Sequence, residues 1–215
     1  MIRSYGHFLF LRILVVLPFS LIFNATGEPF LFPDDVFIRH EIRLIQDEAS
    51  LNGLQNTWPL NLGGLSYSLQ SKAEHDWKHS LLETKISDER NSGFGNVVSS
   101  LMIRDDRMIS RDFSSAPYST LSSNISTSWM NDRFAAKLSL NAFGGRQKDW
   151  KNRIDDGLGL DGSYISARLG NWSTTFGQVG RWWGPGWDGS LILSTNSRAI
   201  PSFSIDRRDP LSFET

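Results

Sequence analysis

"LSSNISTSWMNDRFAAKLSLNA", Leu121 to Ala142, decides the fold. Leu121, Ile125 and Trp129 alternate with Ser122, Asn124, Ser126 and Ser128. After Asn131-Asp132 the pattern resumes. Phe134, Ala136, Leu138, Leu140 and Ala142 alternate with Arg133, Lys137, Ser139 and Asn141. A period of two puts successive side chains on opposite faces of a strand. One face here is apolar and the other strongly polar. Asn131-Asp132 is tight hairpin chemistry. Both runs approach the ~9–11 residues of a tilted membrane-crossing strand.

The same grammar continues downstream. Ile165, Ala167 and Leu169 alternate with Tyr164, Ser166 and Arg168, and Gly170-Asn171 offers a second tight turn before a strand at Trp172 to Gly180. Between the tight turns lie long polar connections, Arg104 to Ser119 and Gly144 to Leu158. Outer-membrane barrels alternate short periplasmic turns with long extracellular loops in this way. If the strand near Val97 runs outward, the long loops are outside and the tight turns inside.

Upstream of Phe94 the period is helical. Ile38, Ile42, Ile45 and Ala49 share one helical face, with Asp34 or Asp35 as N-cap, Pro33 just outside and Gly53 as a stop. Ser71 and Glu74 have capping-box spacing, and Ala73, Trp77 and Leu81 follow on one face of a second helix. Residues 28–90 therefore read as a small helical module, taken as periplasmic, and residues 91–215 as strands. Residues 1–27 read as a secretory signal peptide: Arg3 and Arg12 precede the short apolar run Ile13 to Phe23, and Ala25 and Gly27 suit a cut before Glu28. The fold class is mainly β: part of an antiparallel transmembrane outer-membrane β-barrel, preceded by a small N-terminal helical module.

Composition removes several function classes. Among 215 residues, 22 Lys and Arg face 23 Asp and Glu, a net charge of −1, so no bulk attraction to nucleic acid is expected. There is no cysteine, which excludes disulfides, thiolate metal sites and cysteine nucleophiles. His75 and His79 stand one helical turn apart with Glu83 beyond, but no third ligand position is defined and a solvated helix face is the expected reading. Asp155, Asp156 and Asp161 are read as loop residues rather than a glycosidase pair. No catalytic residues, cofactor or metal are expected.

The remaining candidate is "GRWWGPGWDGS", Gly180 to Ser190. Trp182, Trp183 and Trp187 crowd a Gly-Pro-Gly turn flanked by Arg181 and Asp188. Pro185 and Gly186 carry the signature of a type II turn. Three roles fit. Tryptophan faces can pack on sugar rings while Arg181 and Asp188 bond hydroxyls or carboxylates. The rings can equally form an interfacial girdle, or pack the lumen of a barrel. The strand count places the turn at the extracellular end. Arg146, Lys148, Trp150, Lys151 and Arg153 in the preceding long loop can add attraction to an acidic polymer, or can be an ordinary solvated loop.

The stretch "RWWGPGWDGSLILSTN", Arg181 to Asn196, with Pro201 shortly after, resembles the signature of the Wzi-type capsule-assembly proteins. "IRHEIRLIQDEASLNG", Ile38 to Gly53, followed by Trp58-Pro59-Leu60, resembles that family's helical segment. The resemblance implies an outer-membrane barrel, not an enzyme. It would bind capsular polysaccharide like a lectin, sit in outer-membrane lipid, and support capsule attachment beside the capsule-export machinery. Family members close a barrel of about 18 strands, within the usual outer-membrane range, whereas roughly seven are countable here. The expectation is therefore an incomplete barrel, corresponding to the N-terminal part of such a protein. Two other classes compete: an anion-favouring channel lined by Arg133, Lys137 and Arg168, and a secreted β-rich glycan hydrolase.

Overall fold

The computed structural model describes residues 30–32, 34–49, 56–62, 65, 82, 84, 93–104, 119–144 and 157–207. In chain order the elements are β1 (Phe30–Leu31), α1 (Val36–Ala49), β2 (Thr57–Trp58), β3 (Leu60–Asn61), β4 (Gly93–Phe94) and β5 (Val98–Ile103). They continue with β6 (Leu121–Met130), β7 (Phe134–Gly144), β8 (Gly157–Gly159), β9 (Tyr164–Leu169), β10 (Trp172–Gly177), β11 (Trp182–Trp183) and β12 (Ser202–Arg207). The signal segment, most of the second expected helix with His75, His79 and Glu83, and Asp155 and Asp156 lie outside the described residues. Among the described residues no helix is long and apolar enough to cross a membrane.

The main sheet has eight strands in the order β12-β10-β9-β7-β6-β4, with β5 continuing along β6 and β8 along β7. Every pairing in it is antiparallel. Both tight turns close hairpins as expected. The Asn131 Oδ1 accepts the Arg133 and Phe134 amides at 2.9 and 2.7 Å, so the turn residue holds its own hairpin. Gly170 adopts φ 61°, which glycine reaches without a Cβ clash, and Leu169 then pairs with Trp172.

The polarity of this sheet is inverted relative to a soluble protein. In β7, Leu138 and Leu140 are 52% and 54% exposed, while Ser139 between them is 4% exposed. Register carries the pattern across the strands. Ile125 faces Leu140, Thr174 faces Ile205 and Phe176 lies between Ile165 and Phe203, all on the outer face. Ser126, Ser139, Ser166, Ser173 and Thr175 are buried on the other. Three of those hydroxyls bond one another: Ser166 Oγ lies 3.2 Å from Ser173 Oγ and 3.0 Å from Thr175 Oγ1. Asn124 donates to Ser139 Oγ at 2.7 Å and to Asn141 Oδ1 at 2.8 Å. A sheet with apolar residues outward and a bonded polar face inward suits a hydrocarbon surround.

Four expectations change here. The Gly144 to Leu158 connection is shorter than expected, because Leu158 already lies in β8, paired with Ala142 of β7. The strand from Trp172 ends at Gly177 rather than Gly180. A Cβ on Gly177 would stand 2.3 Å from the Ser163 carbonyl, and beyond this close crossing the chain leaves the sheet. A further strand, β12, returns to pair with β10 over its whole length, from Trp172↔Arg207 to Gly177↔Ser202. The helical module and the tryptophan turn are not at opposite ends: they share a core.

That core lies on the inner side of the sheet. Asp35 Oδ1 accepts the Ile38 amide at 3.1 Å and so caps α1. One face of α1 buries Ile38 and Ile42 together with Leu31, Trp58, Leu62, Leu82 and Trp182. Leu82 and Thr84 are helical, and the Leu82 amide donates to Glu41 Oε2 at 3.0 Å, tying this segment to α1. A second cluster joins Phe30 to Met130, Ala135, Tyr164 and Val179, with Phe32 packed against it. Phe30 meets the Tyr164 ring edge-on at 5.6 Å, and Lys137 stands 5.1 Å over Phe32. The start of the module is thus laid across the polar face of β7 and β9.

Candidate functional site

Gly177 ends β10, and residues 178–183 carry the chain inward under the sheet. Val179 enters the second apolar cluster and Trp182 the first. Trp182 pairs with Trp58 through β11 and β2 and is 0% exposed. Its Nε1 donates to the Gly186 carbonyl at 3.0 Å. It is core, and stacking on a sugar is not open to it in this structure. The physical reason is local: Ile38 and Ile42 of α1 need cover, and the indole supplies a large apolar face with one satisfiable polar atom.

The turn itself differs from the type II expectation. Gly186 lacks the positive φ of that turn; Gly184 carries φ 153° instead. The chain is held by long-range bonds rather than by a closed four-residue turn. Gly184 N donates to Asn56 O at 2.7 Å, Trp183 N to Leu193 O at 2.9 Å and Leu191 N to Trp183 O at 2.8 Å. Space also demands both glycines. A Cβ on Gly184 would lie 2.9 Å from Leu191 N, and one on Gly186 would lie 2.5 Å from Gly189 O.

Arg39 is the residue that sequence reasoning missed. It stands on α1 beside Ile38 and is 4% exposed. Its Nη2 donates to the carbonyls of Pro185 and Gly186, both at 2.9 Å. The guanidinium carbon also lies 4.6 Å from the centroid of the Trp187 ring, and that of Arg43 lies at 5.8 Å. Arg39 therefore grips the turn by backbone and by ring together. Burial, aided by the charge of Arg43, lowers its pKa to about 10, so it stays protonated at neutral pH. A contact spanning 147 positions leaves no local signal in the sequence.

The other predicted site residues fall into two groups. Trp183 and Trp187 are half-buried, Asp188 is exposed, and half-buried Arg181 donates from Nη2 to Ser202 Oγ at 3.1 Å, tying the segment to β12. Trp182, between Arg181 and Trp183 in the chain, is the buried member of the run. Arg146, Lys148, Trp150, Lys151 and Arg153 lie outside the described residues. Asp161 is occupied structurally: its Oδ2 accepts Arg198 Nε at 2.8 Å, and Arg198 stacks on Phe143 at 4.5 Å. Among the described residues no cluster of three metal-ligating side chains occurs.

An antiparallel sheet with an apolar outer face, a hydroxyl-lined inner face and an aromatic turn folded beneath it belongs to the outer-membrane β-barrel class. The sequence profile of the family described as "Capsule assembly protein Wzi" matches residues 94–215, and the chain belongs to that family. It is 37% identical over 65 residues to an uncharacterized 55.8 kDa protein in the cps region of Klebsiella pneumoniae, a match covering 29% of this chain and 13% of that protein. Its fold is similar to that of a solved structure from Escherichia coli, described as Wzi, an outer membrane protein involved in group 1 capsule assembly and a carbohydrate-binding β-barrel. The TM-score is 0.69 at 21% identity, over 87% of this chain and 42% of that one. The chain thus spans less than half the length of the barrel it matches.

Proposed function

We propose that this chain forms part of an outer-membrane barrel that binds capsular polysaccharide and holds the capsule at the cell surface. The action is binding without chemistry. The observation that carries this reading is the inverted polarity of the sheet, in a chain of the capsule assembly family. The polysaccharide contacts are Trp183, Trp187, Arg181 and Asp188, with Trp182 and Arg39 holding them from beneath. The loop residues Arg146, Lys148, Trp150, Lys151 and Arg153 add attraction where the polymer is acidic. Outer-membrane lipid surrounds the apolar face, and the capsule-export machinery is the protein partner. A signal peptide over residues 1–27 delivers the chain through the inner membrane. An open channel is less favoured, because Phe30 and Phe32 lie across Tyr164 on the inner face.

The test is retention of capsular polysaccharide by the full chain in detergent. Trp187→Ala with Asp188→Asn is expected to weaken retention about tenfold, the loss of one aromatic anchor. Retention equal to that of the parent chain would reject this site.

A further inference from the structure

The hairpin end of the sheet carries a feature that polysaccharide binding does not use. A cavity of about 500 Å³ is lined by Arg133, Phe134, Arg168, Leu169 and Gly170. It sits at the rim, where β7 begins and β9 ends. Arg168 N donates to Arg133 O at 2.7 Å, so the two arginines are adjacent across the strands. By register they lie on the inner face, whereas Phe134 pairs with Ala167 on the outer, apolar face.

Neither guanidinium has an ion pair or hydrogen bond among the described residues. Asp132, in the adjoining turn, pairs with neither. Phe134 and Leu169 are 50% and 64% exposed, so the apolar wall continues into the outer surface of the sheet. On the next strand, outward Trp172 pairs with Leu169 and carries Arg207 at 5.7 Å from its ring. A tryptophan at a strand end suits a membrane–water interface, where its amphipathic ring is favoured.

We propose that this rim pocket binds the phosphate headgroup of an anionic phospholipid. The phosphate sits between the Arg133 and Arg168 guanidinium groups, and the acyl chains run along Phe134 and Leu169. Two positive charges reaching the rim from the inner face, in one cavity with Phe134 and Leu169 of the outer face, match an amphiphilic anion that lies across the rim. A free phosphate would use the charges and leave the wall uncovered. The tight-turn end of such a barrel is its periplasmic end, which assigns the lipid to the inner leaflet. The inference rests on the membrane reading above.

The experiment uses the full chain folded into phosphatidylcholine vesicles, extracted in mild detergent and offered equal amounts of phosphatidylglycerol and phosphatidylcholine with the same acyl chains. Retained lipid is read by native mass spectrometry. The chain is expected to retain phosphatidylglycerol preferentially. Arg133→Gln with Arg168→Gln is expected to weaken that retention roughly ten- to thirtyfold, at about 1 kcal/mol per cation. The double lysine variant, which keeps the charge, should retain part of the preference. Equal retention of the two lipids by the parent chain, or an undiminished preference in the double glutamine variant, would overturn the inference. Displacement of the lipid by millimolar inorganic phosphate would overturn the lipid assignment in favour of a free anion. Failure to enter vesicles at all would overturn the membrane reading and the inference together, a result distinct from insertion without headgroup preference.

Discussion

Replacing Arg39 by methionine should detach the tryptophan segment from α1 while leaving the sheet intact. Methionine keeps the apolar stem of the buried side chain and removes its charge. Two bonds from a charged donor are lost, to the carbonyls of Pro185 and Gly186, each contributing roughly 1.5–3 kcal/mol. The stacking on Trp187 at 4.6 Å is lost as well, worth about 1 kcal/mol in a partly buried setting. Against this, the variant no longer buries a guanidinium, a cost already visible in the pKa lowered to about 10. Gly186 O also keeps its bond from Trp182 Nε1. The net loss is about 2 kcal/mol, or roughly thirtyfold in the local opening equilibrium. Amide hydrogen exchange reads it directly. The amides of Trp183, Gly184 and Leu191 should exchange about thirtyfold faster. Those of the β6–β7 hairpin should not change. Unchanged protection at Gly184, or equal loss throughout the hairpin, would refute the reasoning.

Gly184→Ala should destabilise this segment by about 1–3 kcal/mol, because alanine is strained at φ 153° and its Cβ would press on Leu191 N; thermal unfolding of the two chains checks it. Leu138→Arg, on the outer face, should cost about 2–4 kcal/mol of folding into vesicles. Ser122→Lys on the inner face should fold as the parent does, and denaturant titration in vesicles separates the two.

The strands were legible because their signal is local. Period two in Leu121 to Ala142 follows from the pleat alone, whatever the partner strand. The Asn131 turn and the Asp35 cap were legible for the same reason, since each side chain bonds backbone within three residues. Ser202 to Arg207 held a similar alternation, Phe203 and Ile205 between Ser202, Ser204 and Asp206, and could have been read as a strand. Its pairing with β10 could not, because the intervening segment folds inward before the chain returns. The candidate site was legible as a cluster of residues but not as an arrangement. Counting strands sent the turn outward, away from a periplasmic module. In the structure, the contact between Arg39 and Gly186 joins the two, and no periodicity or spacing encodes a contact of that range.

A sheet in the wall of a barrel must turn its apolar face to lipid and its hydroxyl face away from it. The sequence has no cysteine, so single cysteines can carry spin labels one position at a time in the vesicle-folded chain. Labels replacing Ile125, Phe203 and Ile205 should collide with oxygen dissolved in the bilayer and be shielded from a water-soluble nickel complex. Labels replacing Ser122, Ser128 and Ser204 should show the reverse preference. Lipid contact at the serine positions, or no alternation between the two sets, would contradict the assignment of this sheet to the wall of an outer-membrane barrel.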